Sequence, residues 1–156
     1  LDAAVSSLSN QATNWLMNNR IPQRMGSLHP NIAPYGEILT TSDNKNVVIA
    51  VGSEKQFKSL SIILKLPDLP VDIRFHTNQL RVENRVELKR CLVEKAQSFT
   101  CKRLMDEFLA NDIPAGVIKN MKEVFESEKA RKSILTDKMS DGATAKRVAQ
   151  VAFKIS

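Results

Sequence analysis

Two histidines, two cysteines and 17 carboxylates are the groups in this chain that could move a proton, attack a carbonyl or hold a metal. His29 and His76 lie far apart, and the sequence has no H-x-x-x-H pair and no serine elbow, so metallohydrolase and α/β-hydrolase chemistry lack residue support. Cys91 and Cys101 form no C-x-x-C pair and have no clustered histidine, which leaves no zinc or redox motif. Both read as reduced thiols, Cys101 in the core. The five glycines make neither G-x-G-x-x-G nor G-x-x-x-x-G-K-[ST], so nucleotide-cradling loops of those types are not expected. The carboxylates spread over helix faces without an evident pair. No catalytic residue and no metal ligand is therefore assigned.

The most suggestive residues sit in one long connection, residues 20 to 35, which carries Pro22, Pro30, Pro34, Gly26 and the only tyrosine. Long ordered connections are more often functional than short ones. His29 precedes Pro30, where an imidazole could bond a ligand carboxylate or a backbone carbonyl; a contact that orders the loop is the preferred reading. His76, between Phe75 and Thr77, reads as a surface or turn-ordering residue. Gly26 and Gly52 read as turn positions. Gly26 has a second possible role, absorbing a dihedral change if the loop closes over a ligand.

Charge narrows the partners less than motifs do. The net charge of +6 suits a polyanion or a phosphate-bearing ligand such as coenzyme A, and does not choose between them. Aromatics make up 5% and do not interleave with the basic residues, so a nucleic-acid platform is poorly supported. Arg81 and Arg85 share a helix face with glutamates, and such a face is read as solvated. No apolar run approaches the roughly 20 residues of a membrane helix, and no secretory pattern opens the chain, so a cytoplasmic protein is expected.

The elements that must position the loop follow from periodicity. Leu1, Ala4, Val5, Leu8, Ala12, Trp15 and Leu16 form one apolar helical stripe, on which Trp15 reads as core or interface. Asn18, Asn19 and Pro22 end it. Glu37 to Thr41 and Asn46 to Val51 read as a hairpin across Ser42 to Lys45. Ser53 and Gln56 have capping-box spacing, and Phe57, Leu60, Ile63 and Leu64 give that helix a buried face before Pro67 and Pro70 stop it. Residues 71 to 78 read as irregular. A second helix carries Val82, Val86, Leu88, Leu92, Val93 and Ala96. Thr100 caps a third with Cys101, Leu104, Met105, Phe108 and Leu109 inward, ending near Asn111. A turn over residues 111 to 116 precedes a candidate strand at Val117 and Ile118, and Asn120 with Glu123 opens a fourth helix through Val124 and Phe125. Glu126 to Lys132 reads as a solvated helix or linker. At the end Val151, Phe153 and Ile155 alternate as in a half-buried strand. A helix that begins uncapped and a strand that stops mid-pattern suggest a piece of a longer chain. The fold class expected is α/β in the α+β sense, a small antiparallel sheet packed with several helices.

Taken in order, Leu1 to Leu16, Pro22 to Tyr35, Val47 to Phe57, Asp72 to Leu88 and Ile113 to Val124 resemble the second half of class III CoA-transferases, the CaiB/BaiF family. The strings R-x-G-x-x-H-P-x-I-A-P-Y and R-F-x-T-N-x-x-R-V-x-N-R carry the likeness, and the tail KRVAQVAFKIS looks like the family's return toward its large domain. The resemblance implies residues 1–22 as a helical linker from that domain, 23–125 as the small domain and 126–156 as a charged segment and returning strand. It implies transfer of coenzyme A between an acyl-CoA and a small carboxylic acid through an aspartyl intermediate, with the coenzyme A thioester as substrate and no covalently bound cofactor. The aspartate belongs to the large domain, so Asp2 and Asp72 are no substitutes and this chain alone is expected to be inactive. Arg24, Gly26, His29, Asn31 and Tyr35 are the substrate-loop candidates. Gly26 stands alone where some members carry several consecutive glycines. An intertwined homodimer of the complete protein is implied, with no nucleic acid and no membrane. Two rivals stay open: part of an acyl-CoA racemase of the same superfamily, or a basic interaction module.

Overall fold

The computed structural model describes residues 1–149, apart from the side chain of Asn10, and these fall into two compact units that divide between Val117 and Ile118. The strand expected around Val151, Phe153 and Ile155 lies outside the described residues.

In the first unit α1 (Asp2–Ser7) and α2 (Ser9–Asn18) lead into the long loop, followed by β1 (Tyr35–Thr40), β2 (Asn46–Ala50), α3 (Glu54–Ile63), a 3-10 turn (Leu69–Val71), α4 (Asn78–Glu83), α5 (Arg85–Ala96), α6 (Cys101–Ala110) and β3 (Ala115–Val117). The sheet is antiparallel in the order β1-β2-β3, with Leu39 opposite Val47 and Ile49 opposite Ala115. Side chains alternate across a strand, so Leu39, Val47, Ile49 and Val51 all fall on the face that helices cover. Helix α5 packs on β1, α6 on β3 and α3 on α6. Phe57, Leu60, Leu64, Leu88, Leu92, Leu104 and Phe108 fill the space between, at helical spacing within each helix. The expected α+β architecture is what forms.

Local signals hold well. Ser53 caps α3 by accepting from Gln56 N, while Gln56 Oε1 accepts from Gly52 N, one residue earlier than a standard capping box. Thr100 caps α6, Asn111 ends it, Cys101 is buried, and the capping box of Asn120 and Glu123 is complete.

Other expectations are corrected. The first helix is two helices that meet at Leu8, and its stripe is not core: Leu1, Val5, Leu8, Trp15 and Leu16 are exposed, because no apolar element of this unit covers them. The second helix is also two. Asn84 stands between α4 and α5, its Nδ2 donating back to Leu80 O and to Arg74 O, local bonding that competes with the helical ladder. Within the irregular stretch, Thr77 caps α4 by accepting from Leu80 N. Val86 and Leu109 are exposed, since α5 buries the face of Leu88 and Leu92 and α6 that of Leu104 and Phe108. The third strand starts earlier, at Ala115, and Ile118 lies beyond it.

The second unit holds α7 (Met121–Phe125), α8 (Glu128–Arg131) and a two-stranded hairpin of β4 (Ile134–Lys138) with β5 (Thr144–Val148). The charged run is a solvated helix, one of the two expected forms. The hairpin was not expected, because its alternation is masked by charged residues on both strands; Met139 N to Ala143 O and a left-handed Gly142 close its turn.

Candidate functional site

The loop from Arg20 to Tyr35 is held by side chains of α2, α4 and α5. Gly26 lies in the turn Met25–Leu28, with φ +63 and Leu28 N donating to Met25 O, so it occupies the position that favours glycine. Ser27 then doubles back on the start of β1: its Oγ donates to Gly36 O at 2.7 Å, and a Cβ on Gly36 would stand 1.7 Å from Ser27 O. Gly36, at φ +79, is also where the β1–β2 register slips, so one glycine serves both the bulge and the close approach.

His29, Asn31 and Tyr35 come together. His29 N donates to Tyr35 O at 3.0 Å, Asn31 N donates to His29 Nδ1 at 3.1 Å, and the His29 ring meets the Tyr35 ring edge-on at 5.4 Å. His29 thus makes loop-ordering contacts. Asn31 ties the loop to α2, its Nδ2 donating to Asn14 Oδ1 at 2.9 Å. Arg24 is exposed and does not join this group. His76 is exposed with its ring Nδ1 3.1 Å from Ile73 O, a turn-ordering contact.

Arg81 and Arg85, expected on a solvated face, turn inward, together with Asn78 from the stretch expected to be irregular. Asn78, Arg81 and Arg85 are spaced by three and four, so they share one side of the α4–α5 segment and face the loop. Asn78 Oδ1 accepts from Ala33 N at 3.1 Å while its Nδ2 donates to Asn31 O at 2.8 Å, as a paired peptide unit would. Arg81 is buried, at 3% exposure. It donates to Ala33 O at 2.8 Å, to Phe75 O at 3.0 Å and to both oxygens of Glu54, at 2.6 and 3.0 Å, with its guanidinium 4.2 Å above the Phe57 ring. Arg85 Nη2 donates to His29 O at 2.6 Å and to Ile32 O at 2.9 Å. The solvated reading fails because these guanidiniums are the donors that the loop's inward carbonyls need. The spacing was visible in sequence; the acceptors, about fifty positions away, were not.

The charges around this face differ in setting. The hydrogen bonds from Arg81 hold Glu54 below the usual carboxylate range. Burial pushes Glu37 up, opposed by Lys89 and Arg85, and burial pushes Arg85 down. Glu37 Oε2 and Arg85 Nη1 are both buried without a hydrogen-bond partner among the described residues, and Lys89 Nζ lies 3.9 Å from Glu37.

Beside the loop lies an open cleft of about 260 Å³, lined by Asn14, Arg20, Met25, Gly26, Leu28 and Pro30 among others. Its wall is therefore partly the loop itself. Among the described residues no cluster of three metal-ligating side chains occurs, and no helix is long and apolar enough to cross a membrane. The arrangement fixes a backbone and shapes a cleft wall; the loop contributes no nucleophile with an adjacent base.

The sequence matches the family model for CoA-transferase family III over residues 1–156. It is 35% identical over 125 residues to succinate–glutarate CoA-transferase of Agrobacterium fabrum, covering 80% of this chain and 31% of that protein. It is 35% identical over 125 residues to human succinyl-CoA:glutarate CoA-transferase, covering 80% of this chain and 28% of that protein. A solved structure of a CAIB/BAIF family protein from Brucella suis superposes with a TM-score of 0.73 at 34% identity, over 97% of this chain and 38% of that one. The chain spans under a third of the length of these curated relatives.

Proposed function

The chain belongs to CoA-transferase family III, and we propose on that basis that it forms the small-domain portion of an enzyme moving coenzyme A between an acyl-CoA and a small carboxylic acid. The observation that carries this reading is the family match along the whole chain, joined to two relatives named as CoA-transferases. Their names point to dicarboxylates such as succinate and glutarate as the first acids to test.

In this reading an aspartate of a large domain attacks the thioester carbonyl, the carbon–sulfur bond breaks and CoA leaves as the thiolate. The thiolate then takes the aspartyl side of the mixed anhydride and releases the first acid, and the acceptor carboxylate repeats the exchange in reverse. Residues 1–22 link to that domain, 23–125 are the small domain and 126–156 return toward the large one. The small domain supplies positioning: Arg24, Gly26, His29, Asn31 and Tyr35 lie on the loop that borders the site. The complete protein is a cytoplasmic, intertwined homodimer, with coenzyme A thioester as substrate rather than resident cofactor. The exposed stripe of α1 and α2 supports the dimer, since exposed apolar faces mark interaction surfaces.

The test is transfer of CoA from succinyl-CoA to glutarate and a panel of acids, followed by mass spectrometry of the thioester products. The complete protein is expected to transfer and the 156-residue chain alone is not. Transfer by the chain alone overturns the division of labour, and exchange of the 2-proton in deuterated water without transfer overturns the reaction class.

A further inference from the structure

Arg81 and Arg85 both grip the loop, but only Arg81 is also built into the core. It bridges Glu54, Phe75 and the face of Phe57 as well as Ala33. The hydrogen bonds of Arg85 all go to the loop, from a single nitrogen to two carbonyls three residues apart, those of His29 and Ile32. We propose that Arg85 is a positioning residue of the enzyme, fixing the backbone of residues 29–32 and with it the cleft wall formed by Leu28 and Pro30.

The geometry supplies the reasons. Leu28 and Pro30 flank His29 in sequence and both line the cleft, so a shift of the His29 carbonyl moves the wall on either side of it. Arg85 opens α5, whose Leu88 and Leu92 are fully buried, so the donor sits on a rigid support. Arg85 keeps Nη1 buried and unpaired, a desolvation cost that an arginine on a solvated face would not bear. From the same side of the α4–α5 segment Asn78 holds Ala33 N and Asn31 O, so the stretch from His29 to Ala33 is held at several successive backbone groups. Backbone misplacement of about 1 Å beside reacting groups costs on the order of a hundred-fold in rate, so a latch far from the chemistry reaches it through the loop.

This inference rests on the proposed transfer reaction for its kinetic half only. Arg85→Met, Arg85→Lys and Arg81→Met are made in the complete protein and compared by hydrogen–deuterium exchange and by kcat and KM for CoA transfer. Arg85→Met is expected to speed exchange across residues 28–34 about ten-fold or more while β2 and α6 keep their protection. Its kcat falls about ten-fold or more with KM for the acyl-CoA changed less than about two-fold, and Arg85→Lys restores part of both. Arg81→Met instead loosens loop, β2 and α6 together. Unchanged loop exchange in Arg85→Met overturns the proposal, as does loosening of the whole unit alongside the loop. Should the methionine variant fail to fold, Arg85→Gln is held to the same two outcomes. If the wild-type complete protein transfers no CoA, the reaction reading falls and the exchange data alone decide the role of Arg85.

Discussion

Two single residues carry consequences that can be measured apart from any reaction. Of the two left-handed glycines Gly26, in the loop, and Gly36, in β1, the second is the tighter: a Cβ there would meet backbone atoms of Ser27, whereas at Gly26 it would meet nothing within 4 Å. Gly36→Ala should therefore lower the unfolding free energy by at least about 2 kcal/mol, and Gly26→Ala by about 1, read from urea midpoints at constant slope. Glu37 gives a pH signature. Burial outweighs Lys89 and Arg85 and raises its pKa in the folded state. A raised carboxyl pKa means the folded state binds the proton more tightly, so the contribution is fully present below the unfolded pKa and is lost as pH rises through the folded one. Glu37→Gln, which cannot ionise, should gain stability relative to wild type as pH rises above the ordinary carboxylate range of about 4, measured by thermal melts at successive pH values. A gap that narrows as pH rises would contradict this. Neither residue announced itself in sequence: Gly36 stands just before the expected strand, and a glutamate at the start of a strand looks like any surface acid.

Elements were legible wherever their signals were local. The caps at Ser53, Thr100 and Asn120 lie within a few residues of the amides they serve, so spacing alone identifies them. The start of α6 also has a remote cap. Asp43, in the turn between β1 and β2, accepts from Cys101 N at 2.9 Å and from Thr41 Oγ1 at 2.6 Å, which joins the hairpin turn to the helix N-terminus. Asp43→Ala should cost about 1 to 2 kcal/mol, and Thr100→Ala about 1, because Asp43 still serves the first amide when Thr100 is gone; chemical denaturation of both variants checks the order. Reversal of that order would mean that Asp43 merely shapes its own turn. The breaks at Leu8 and Asn84 were not legible, since apolar periodicity continues through both and only the backbone geometry separates the helices.

At the scale of the whole molecule the apolar stripe of α1 and α2 is the feature that the unit does not use. Trp15, the single tryptophan, is 47% exposed. Acrylamide should quench its fluorescence freely in the isolated chain and much less in the complete protein, and equal quenching in both would argue against burial of this stripe on assembly. The sequence by itself determined the family, the α+β class, the β1–β2 hairpin, most of the core face of α3 and α6, and the position of the loop, because strand alternation, helical period and capping act over a few residues. Tertiary structure alone decided which polar residues serve that loop. Arg81 and Arg85 look like a solvated stripe, and Asn78 like part of an irregular stretch, until the chain brings the backbone of residues 29–33 against them; their partners are fixed by the need to satisfy buried backbone groups rather than by any nearby residue. The same holds for RMGSLHPNIAPY: its residues mark a family and a loop, and the packing of α4 and α5 gives that loop its shape.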